Sequence, residues 1–376
     1  MSETAKSENK KLYKDWFDSK AAQALSEQIT RVHPQFSDET FQNIATHGLE
    51  TLEFKARVQQ FAHALRECLP KHTKEALDIL RESLPPILPD CESPTDGWLQ
   101  WPVGEFVALY GLEETQASFD LMLELTQRFT SEFAVRPFVE EDPAGVIARF
   151  LPLTQHPSPH VRRWCSEGLR PKLPWGKVLG EFVEEPRPLL PVLELLRDDP
   201  ELYVRRSVAN TLNDIAKNHP ELVVGLCERW SIQSNSLRNW LTKHALRSLV
   251  KKAHPGALKL QGYSPPEKIV SKLEASPQEL RIGEGLNLKL ELENTSDKKQ
   301  KLQVDYAVFF IKKNKKAMEK VFKWKSLKLA PGEKVQLHKK QVFKQTSTRT
   351  LYSGFHRIEI QINGTRLAES GFSLLA

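Results

Sequence analysis

Three short segments repeat one order of residues after a turn. The first reads His160-Val161-Arg162-Arg163-Trp164-Cys165-Ser166-Glu167. The second reads Tyr203-Val204-Arg205-Arg206-Ser207-Val208-Ala209-Asn210, and a weaker third reads Leu237-Arg238-Asn239-Trp240-Leu241. The apolar anchors Val161, Val204 and Leu237 lie 43 and 33 residues apart. That period suits stacked helix pairs of the HEAT type, in which each unit buries its apolar face only against its neighbours. The repeat therefore constrains the chain to a curved wall of helices carrying arginines at one register. Arginines so placed make a track for phosphates. Glu167 interrupts the basic pattern, and a carboxylate on such a track needs a chemical reason.

Residues 12–260 read as helices. Leu52, Phe54, Val58, Phe61, Ala62 and Leu65 fall near helical spacing, as do Phe119, Leu121, Met122, Leu125 and Phe129. The helix at 204 is expected to bury Val204, Val208, Leu212 and Ile215 and to carry Arg206, Asn210 and Asp214 on its other face. Prolines at 70, 85, 86, 157, 159, 171, 174 and 220 mark breaks. The period changes after Tyr263-Ser264-Pro265-Pro266, a linker by composition. Beyond it Leu286, Leu288, Leu290 and Leu292 alternate with polar residues, as do Leu302, Val304, Tyr306 and Val308, and a late strand carries Ile358, Ile360 and Ile362. Short strands with turns at 293–297, 330–333 and Asn363-Gly364 predict an immunoglobulin-like β-sandwich. The expected fold is a multidomain chain: an all-α HEAT-like solenoid over 1–262, then an all-β sandwich over 263–376.

Charge is distributed unevenly. Residues 1–155 sum to −10, 156–262 to +6 and 263–376 to +10. The basic charge thus lies in the repeat segment and the sandwich, which points to a polyanionic partner. No apolar run approaches the length of a membrane span, and residues 1–11 are polar and lack the apolar stretch of a secretory signal. Cys68, Cys91, Cys165 and Cys227 are widely spaced, which argues against a zinc knuckle and fits a reducing cytoplasm. A cytoplasmic monomer is expected, with no membrane association.

The chain has no P-loop, GxGxxG, GxSxG or HExxH. His156 and His160 are four apart but separated by Pro157 and Pro159, which favours a capped turn over a metal site. Neither a metal nor a cofactor is expected. Two acids stand out: Glu132, within Arg128 to Phe138, and Glu167, within Arg162 to Gly176. Paired carboxylates suit activation of water and stabilisation of an oxocarbenium ion as a glycosidic bond breaks. Trp164 and Trp175, in the same segment, offer faces for a flat or cationic ring. The alternative is that both acids are salt-bridged surface residues and both tryptophans are core.

On these residues the chain resembles the AlkC branch of the HEAT-like alkylpurine DNA glycosylases, the AlkC/AlkD superfamily. The matching stretches are Gly48 to Val58, Ser131 to Phe138, His160 to Gly176 and Tyr203 to Lys217, and the resemblance covers about 15–260. Part of that branch carries a C-terminal immunoglobulin-like domain. The resemblance implies removal of alkylated bases such as 3-methyladenine and 3-methylcytosine from double-stranded DNA. It implies a monofunctional glycosylase that uses no metal and does not flip the base into a pocket. It places the catalytic acids on Glu132 and Glu167 and an aromatic near the lesion on Trp175, with Trp164 as a second candidate. Where the AlkD branch has a Trp, this chain has Asn210. The DNA contacts expected are Arg162, Arg163, Arg170, Lys172, Arg205, Arg206, Asn210 and Asp214 in the solenoid and Arg349 in the sandwich. Neighbouring helix positions point about 100° apart, so one arginine of each pair should face the groove. Arg163 and Arg206 are the expected members. Two competing readings are a non-catalytic HEAT scaffold that binds nucleic acid and a solenoid that binds protein. A scaffold for nucleic acid has no use for acids on its track.

Overall fold

The computed structural model describes residues 12–88, 97–233, 235–346 and 350–375. Arg349 lies outside the described residues. The helices are α1 (Ser19–Thr30), α2 (Asp38–Thr46), α3 (Phe54–Cys68), α4 (Thr73–Ser83), α5 (Trp101–Tyr110), α6 (Thr115–Leu125), α7 (Arg136–Glu141) and α8 (Pro143–Leu153). They continue as α9 (Pro159–Glu167), α10 (Gly180–Glu184), α11 (Leu190–Leu196), α12 (Leu202–Ile215), α13 (Pro220–Ile232), α14 (Ser236–Ala245), α15 (Arg247–Lys251) and α16 (Pro255–Leu260). The strands are β1 (Ile269–Ser276), β2 (Glu279–Arg281), β3 (Gly285–Asn294), β4 (Gln300–Ile311), β5 (Ala317–Leu329), β6 (Lys334–Val342), β7 (Gly354–Ile362) and β8 (Thr365–Leu375). No helix among the described residues is long and apolar enough to cross a membrane. The chain groups into two compact units. One holds the residues up to Asn218 together with Ser236–Leu241, and the other holds His219–Asn235 and everything from Thr242 onward.

In the first unit the repeat is visible as packing. Pro159 opens α9 at its first turn, where a missing N–H is harmless. Val161, Trp164 and Cys165 follow at helical spacing and are buried. Helix α12 buries Val204, Val208, Leu212 and Ile215. It packs against α9, α11 packs against both, and α8 packs against α9 and α11.

The first arginine of each pair closes the turn before its own helix. Arg162 donates through Nη1 to the carbonyls of His156 and Pro157, at 2.9 and 2.8 Å. Arg205 repeats this at the same offsets, donating to Asp199 and Pro200 at 2.5 and 2.7 Å. The turn between α11 and α12 also takes arginines from either side. Arg162 pairs with Asp199 at 2.6 Å, and Arg238 Nε donates to Asp198 at 2.9 Å. The repeated Arg is therefore partly an architectural device that satisfies turn carbonyls and joins successive repeats.

The second unit is built on the sandwich. One sheet has the order β1-β3-β6 and the other β2-β8-β7-β4-β5, with β2 parallel to β8 and the remaining pairs antiparallel. The alternating leucines Leu286, Leu288, Leu290 and Leu292 of β3 face Leu302, Val304, Tyr306 and Val308 of β4 in one core. β7 and β8 join through Asn363 and Gly364, both at positive φ, which is the backbone a two-residue hairpin turn needs. β5 lies at a sheet edge and exposes Lys320, Lys323, Lys325 and Lys328, which discourages pairing with another edge. Helices of this unit pack on the sandwich: Gln361 Nε2 donates to the Lys251 carbonyl at 3.2 Å, and Lys301 Nζ to that of Gln261 at 2.5 Å. The change from helix to strand falls between Leu260 and Ile269, across the Tyr263 to Pro266 segment.

Candidate active site

The site is a chain of charges that alternate in sign. Glu132 lies in the turn between α6 and α7, where the Thr130 hydroxyl donates to its Oε2 at 2.7 Å. Arg163 on α9 pairs through Nη1 with that same oxygen. Its Nη2 lies 3.5 Å from Glu167 Oε1, one turn further along α9. Arg170 holds Glu167 Oε1 at 2.6 Å and Asp214 Oδ2 of α12 at 2.9 Å. Lys217 ends the chain at 2.7 Å from Asp214 Oδ1. The order Glu132, Arg163, Glu167, Arg170, Asp214, Lys217 thus bridges three segments of the first unit. Glu132, Glu167, Arg170 and Asp214 are all buried.

Burial alone would raise the pKa of Glu167, but the charges of Arg163 and Arg170 outweigh it and hold that carboxyl below its ordinary value. Burial likewise disfavours the Arg163 cation, and the two glutamates overcome it. Arg163 also lies 5.3 Å from the Tyr203 ring, a cation–π contact. The arrangement keeps a carboxylate ionised in a place where an isolated one would protonate. Such a group can stabilise a developing cation or orient a water molecule. Among the described residues, no group of three His, Cys, Asp or Glu side chains is placed to hold a metal ion.

Trp175 lies on the segment after α9, five residues beyond Arg170. It is 52% exposed and adopts φ 65°, a left-handed conformation unusual for a residue of its bulk. Buried Arg136 fixes that segment. It donates to the carbonyl of Lys177 at 2.6 Å, of Arg170 at 3.1 Å and of Gly168 at 3.4 Å. Burial depresses the Arg136 pKa to about 10. Lys55 of α3 donates to the Trp175 carbonyl. Trp175 is nearly parallel to Trp101 at 6.2 Å, and Trp101 stacks on Phe133 at 5.0 Å.

Comparison with known proteins places this arrangement. Residues 269–376 match the family model described as the C-terminal Ig-like domain of the uncharacterised protein YhaZ. The chain is 36% identical over 353 residues to the uncharacterized protein YhaZ of Bacillus subtilis (strain 168), covering 93% of this chain and 96% of that one. A solved structure, the Pseudomonas fluorescens alkylpurine DNA glycosylase AlkC bound to DNA containing an abasic site analog, superposes with a TM-score of 0.90 and 33% identity. That match covers 97% of this chain and 100% of the AlkC chain. The chain belongs to the AlkC branch of the HEAT-like alkylpurine DNA glycosylases. Membership extends through the sandwich, because the AlkC match covers both regions.

Within this AlkC-type fold, the expected site residues fall into distinct groups. Glu132 and Glu167 are brought together through Arg163. Arg170 and Asp214, expected on DNA, instead form the inner part of the ion chain, and Asp214 is buried. Arg163, also expected on phosphates, has its guanidinium between the two glutamates. Arg162 and Arg205 hold turns, as described above. Trp164 is a correction: it is fully buried, 4.7 Å from Phe150 and 6.2 Å from Phe119, and presents no face to a ligand. Arg206 is exposed and Asn210 is half-buried. Lys172 Nζ donates to Asn218 at 2.5 Å. Sequence reasoning missed Arg136, Thr130 and Asp199. Arg136 lay inside the Ser131 to Phe138 stretch, but an Arg before a Pro carries no local sign that it will be buried.

Proposed function

We propose that this chain excises cationic N-alkylated bases, 3-methyladenine and 3-methylcytosine among them, from double-stranded DNA as a monofunctional glycosylase. The observation that carries this reading is the pair Glu132 and Glu167, buried and held to a single guanidinium. N-alkylation leaves the base cationic, so the base departs without being protonated. As the C1′–N bond breaks, its electron pair neutralises the base and positive charge develops on the sugar. One carboxylate faces that charge and the other takes a proton from the water that adds to C1′. Half-exposed Trp175 offers its ring to the lesion. A base that stays in the stack requires no extrusion, which elsewhere costs a few kcal/mol. Selection then rests on the lability and the charge of the lesion.

The phosphate contacts proposed here are Arg206 in the first unit and the exposed hairpin Lys312 to Lys316 in the sandwich. Residues 263–376 carry a net charge of +10, which makes the sandwich a second DNA-binding element on this reading. The test is release of 3-methyladenine from methylated duplex DNA by the purified full-length protein. Release should persist in EDTA and leave an intact abasic site. No release at saturating enzyme, with DNA bound, would favour the scaffold reading. Reversing the hairpin charges, Lys312→Glu with Lys313→Glu, should weaken DNA binding; unchanged affinity would remove the sandwich from the DNA interface.

A further inference from the structure

Arg136 has the ion chain on one side and a cavity on the other. The cavity has a volume of about 360 Å³ and is lined by Trp101, Phe133, Trp175, Arg136, Glu105 and Glu140, among others. Its size sits at the small end of pockets that take organic ligands. Its aromatic side is a stack, with Trp101 5.0 Å from Phe133 and 6.2 Å from Trp175. Its polar groups include donors and acceptors: Glu105 is bonded by Gln59 at 3.0 Å, and Glu140 by Lys177 at 2.9 Å. A flat ring with hydrogen-bonding edges is the ligand that can lie against such an aromatic side.

The cavity is lined by residues of the segments that carry the two carboxylates. Phe133 follows Glu132 in the chain, and Arg136 bonds the carbonyls of Gly168 and Arg170, one and three residues after Glu167. Trp175 therefore belongs to the segment that carries Arg170 and to the wall of the cavity. We propose that this cavity receives the free base after excision. The inference rests on the glycosylase reading above. Cleavage of the C1′–N bond leaves its electron pair on the base, so the cationic heterocycle departs neutral. The water supplies hydroxide to C1′ and its proton passes to a carboxylate. The product is a neutral flat ring that no longer has a bond to the strand. A cavity with aromatic walls beside the reacting centre draws it away from the sugar and opens that face to solvent.

The experiment is titration of the full-length protein, without DNA, by free 3-methyladenine. Tryptophan fluorescence and calorimetry report binding, and 7-methylguanosine serves as an intact cationic nucleoside. Saturable quenching by 3-methyladenine, with much weaker binding of the nucleoside, is the expected result. Ala108, half-exposed in the cavity wall, allows the space to be filled. Ala108→Phe should weaken base binding at least about tenfold and relieve inhibition of multiple-turnover excision by added base. Glu140→Gln, which preserves shape, should weaken binding in the same direction if the larger substitution fails to fold. Excision without any saturable binding of free base overturns the cavity proposal and leaves the glycosylase reading intact. Base binding without excision overturns the glycosylase reading and, with it, the cavity's role as a product site. Tighter binding of 7-methylguanosine than of free base overturns the proposal, because the cavity would then hold an intact extruded lesion.

Discussion

Arg205 and Arg206 are adjacent in sequence and should behave oppositely when truncated. Arg205 is buried and donates to two turn carbonyls, those of Asp199 and Pro200. Hydrogen bonds to a charged donor contribute about 1.5–3 kcal/mol each, and partial access of water to the emptied turn offsets some of that. Arg205→Ala should therefore destabilise the first unit by about 2–4 kcal/mol. Arg206 is exposed. Its truncation should change stability by no more than about 0.5 kcal/mol. DNA binding reverses the order. A phosphate contact releases counterions, so Arg206→Ala should lower the slope of log K against log salt by about 1. Over a fourfold range of salt that slope changes relative affinity by about 3–4-fold, well within the reach of anisotropy titrations. Arg205→Ala, measured where it is still folded, should keep the wild-type slope. If Arg205→Ala lowers the slope and leaves melting unchanged, the assignment of the first arginine of each pair to the turns is wrong.

Further outcomes follow from the same geometry. Glu132→Gln and Glu167→Gln should each reduce single-turnover excision by about 2–4 kcal/mol, roughly 30- to 1,000-fold, with DNA binding retained; rates within about threefold of wild type for both would remove the carboxylates from the chemistry. Glu167→Gln should still fold, because Arg170 keeps Asp214 and Arg163 keeps Glu132. Arg136→Lys lacks the planar fork that reaches three carbonyls, so Trp175 should loosen, its emission shift to the red and the excision rate fall more than DNA affinity; an unaltered spectrum and rate would show that Arg136 does not position Trp175. In β4, burial raises the Asp305 pKa to about 6. Its charge therefore weakens the fold above that pH, and the penalty disappears as pH falls toward the unfolded value. Asp305→Asn should add about 2–3 kcal/mol at pH 8 and nothing near pH 4, read from hydrogen exchange of the β4 amides; equal gains at both pH values would refute the cause.

Local periodicity made most of the fold legible. The spacing of Val204, Val208, Leu212 and Ile215 is a property of one helix, and the alternation of Leu286 to Leu292 is a property of one strand. Even the burial of Trp164 was legible. It lies three residues after Val161 on the same apolar stripe as Cys165, whereas Trp175 lies on no stripe. The partners of charged residues were not legible. Arg162 and Arg163 look alike in sequence, yet one bonds carbonyls five and six residues back and the other bonds an acid 31 residues back. Only the second of these depends on how α9 packs against the turn after α6. Arg136 was missed for the same reason: its three acceptors lie 32 to 41 residues further along.

The ion chain also explains why acids stand on a basic wall. Its six members, Glu132, Arg163, Glu167, Arg170, Asp214 and Lys217, carry three charges of each sign. An unpaired acid there would be repelled by phosphates and would protonate on burial. Paired with arginine, it stays ionised and adds no net repulsion. Arg163 is the member shared by both glutamates, so its removal should be felt as a change in pH dependence and not only in rate. In Arg163→Ala, Glu167 keeps Arg170 but loses one of the two charges that hold its carboxyl down. Its pKa should rise, because burial is then opposed by one arginine and not two. On the proposed mechanism excision requires the ionised form, so a raised pKa removes activity from the acid side first. The wild-type single-turnover rate should be flat from pH 8 to pH 6, and the Arg163→Ala rate should fall as pH decreases across that range. Arg163→Lys, which restores one positive charge without the fork, should move the fall back toward lower pH. A flat profile in Arg163→Ala, at whatever rate, would mean that Arg163 does not set the charge state of the carboxylate that performs the chemistry.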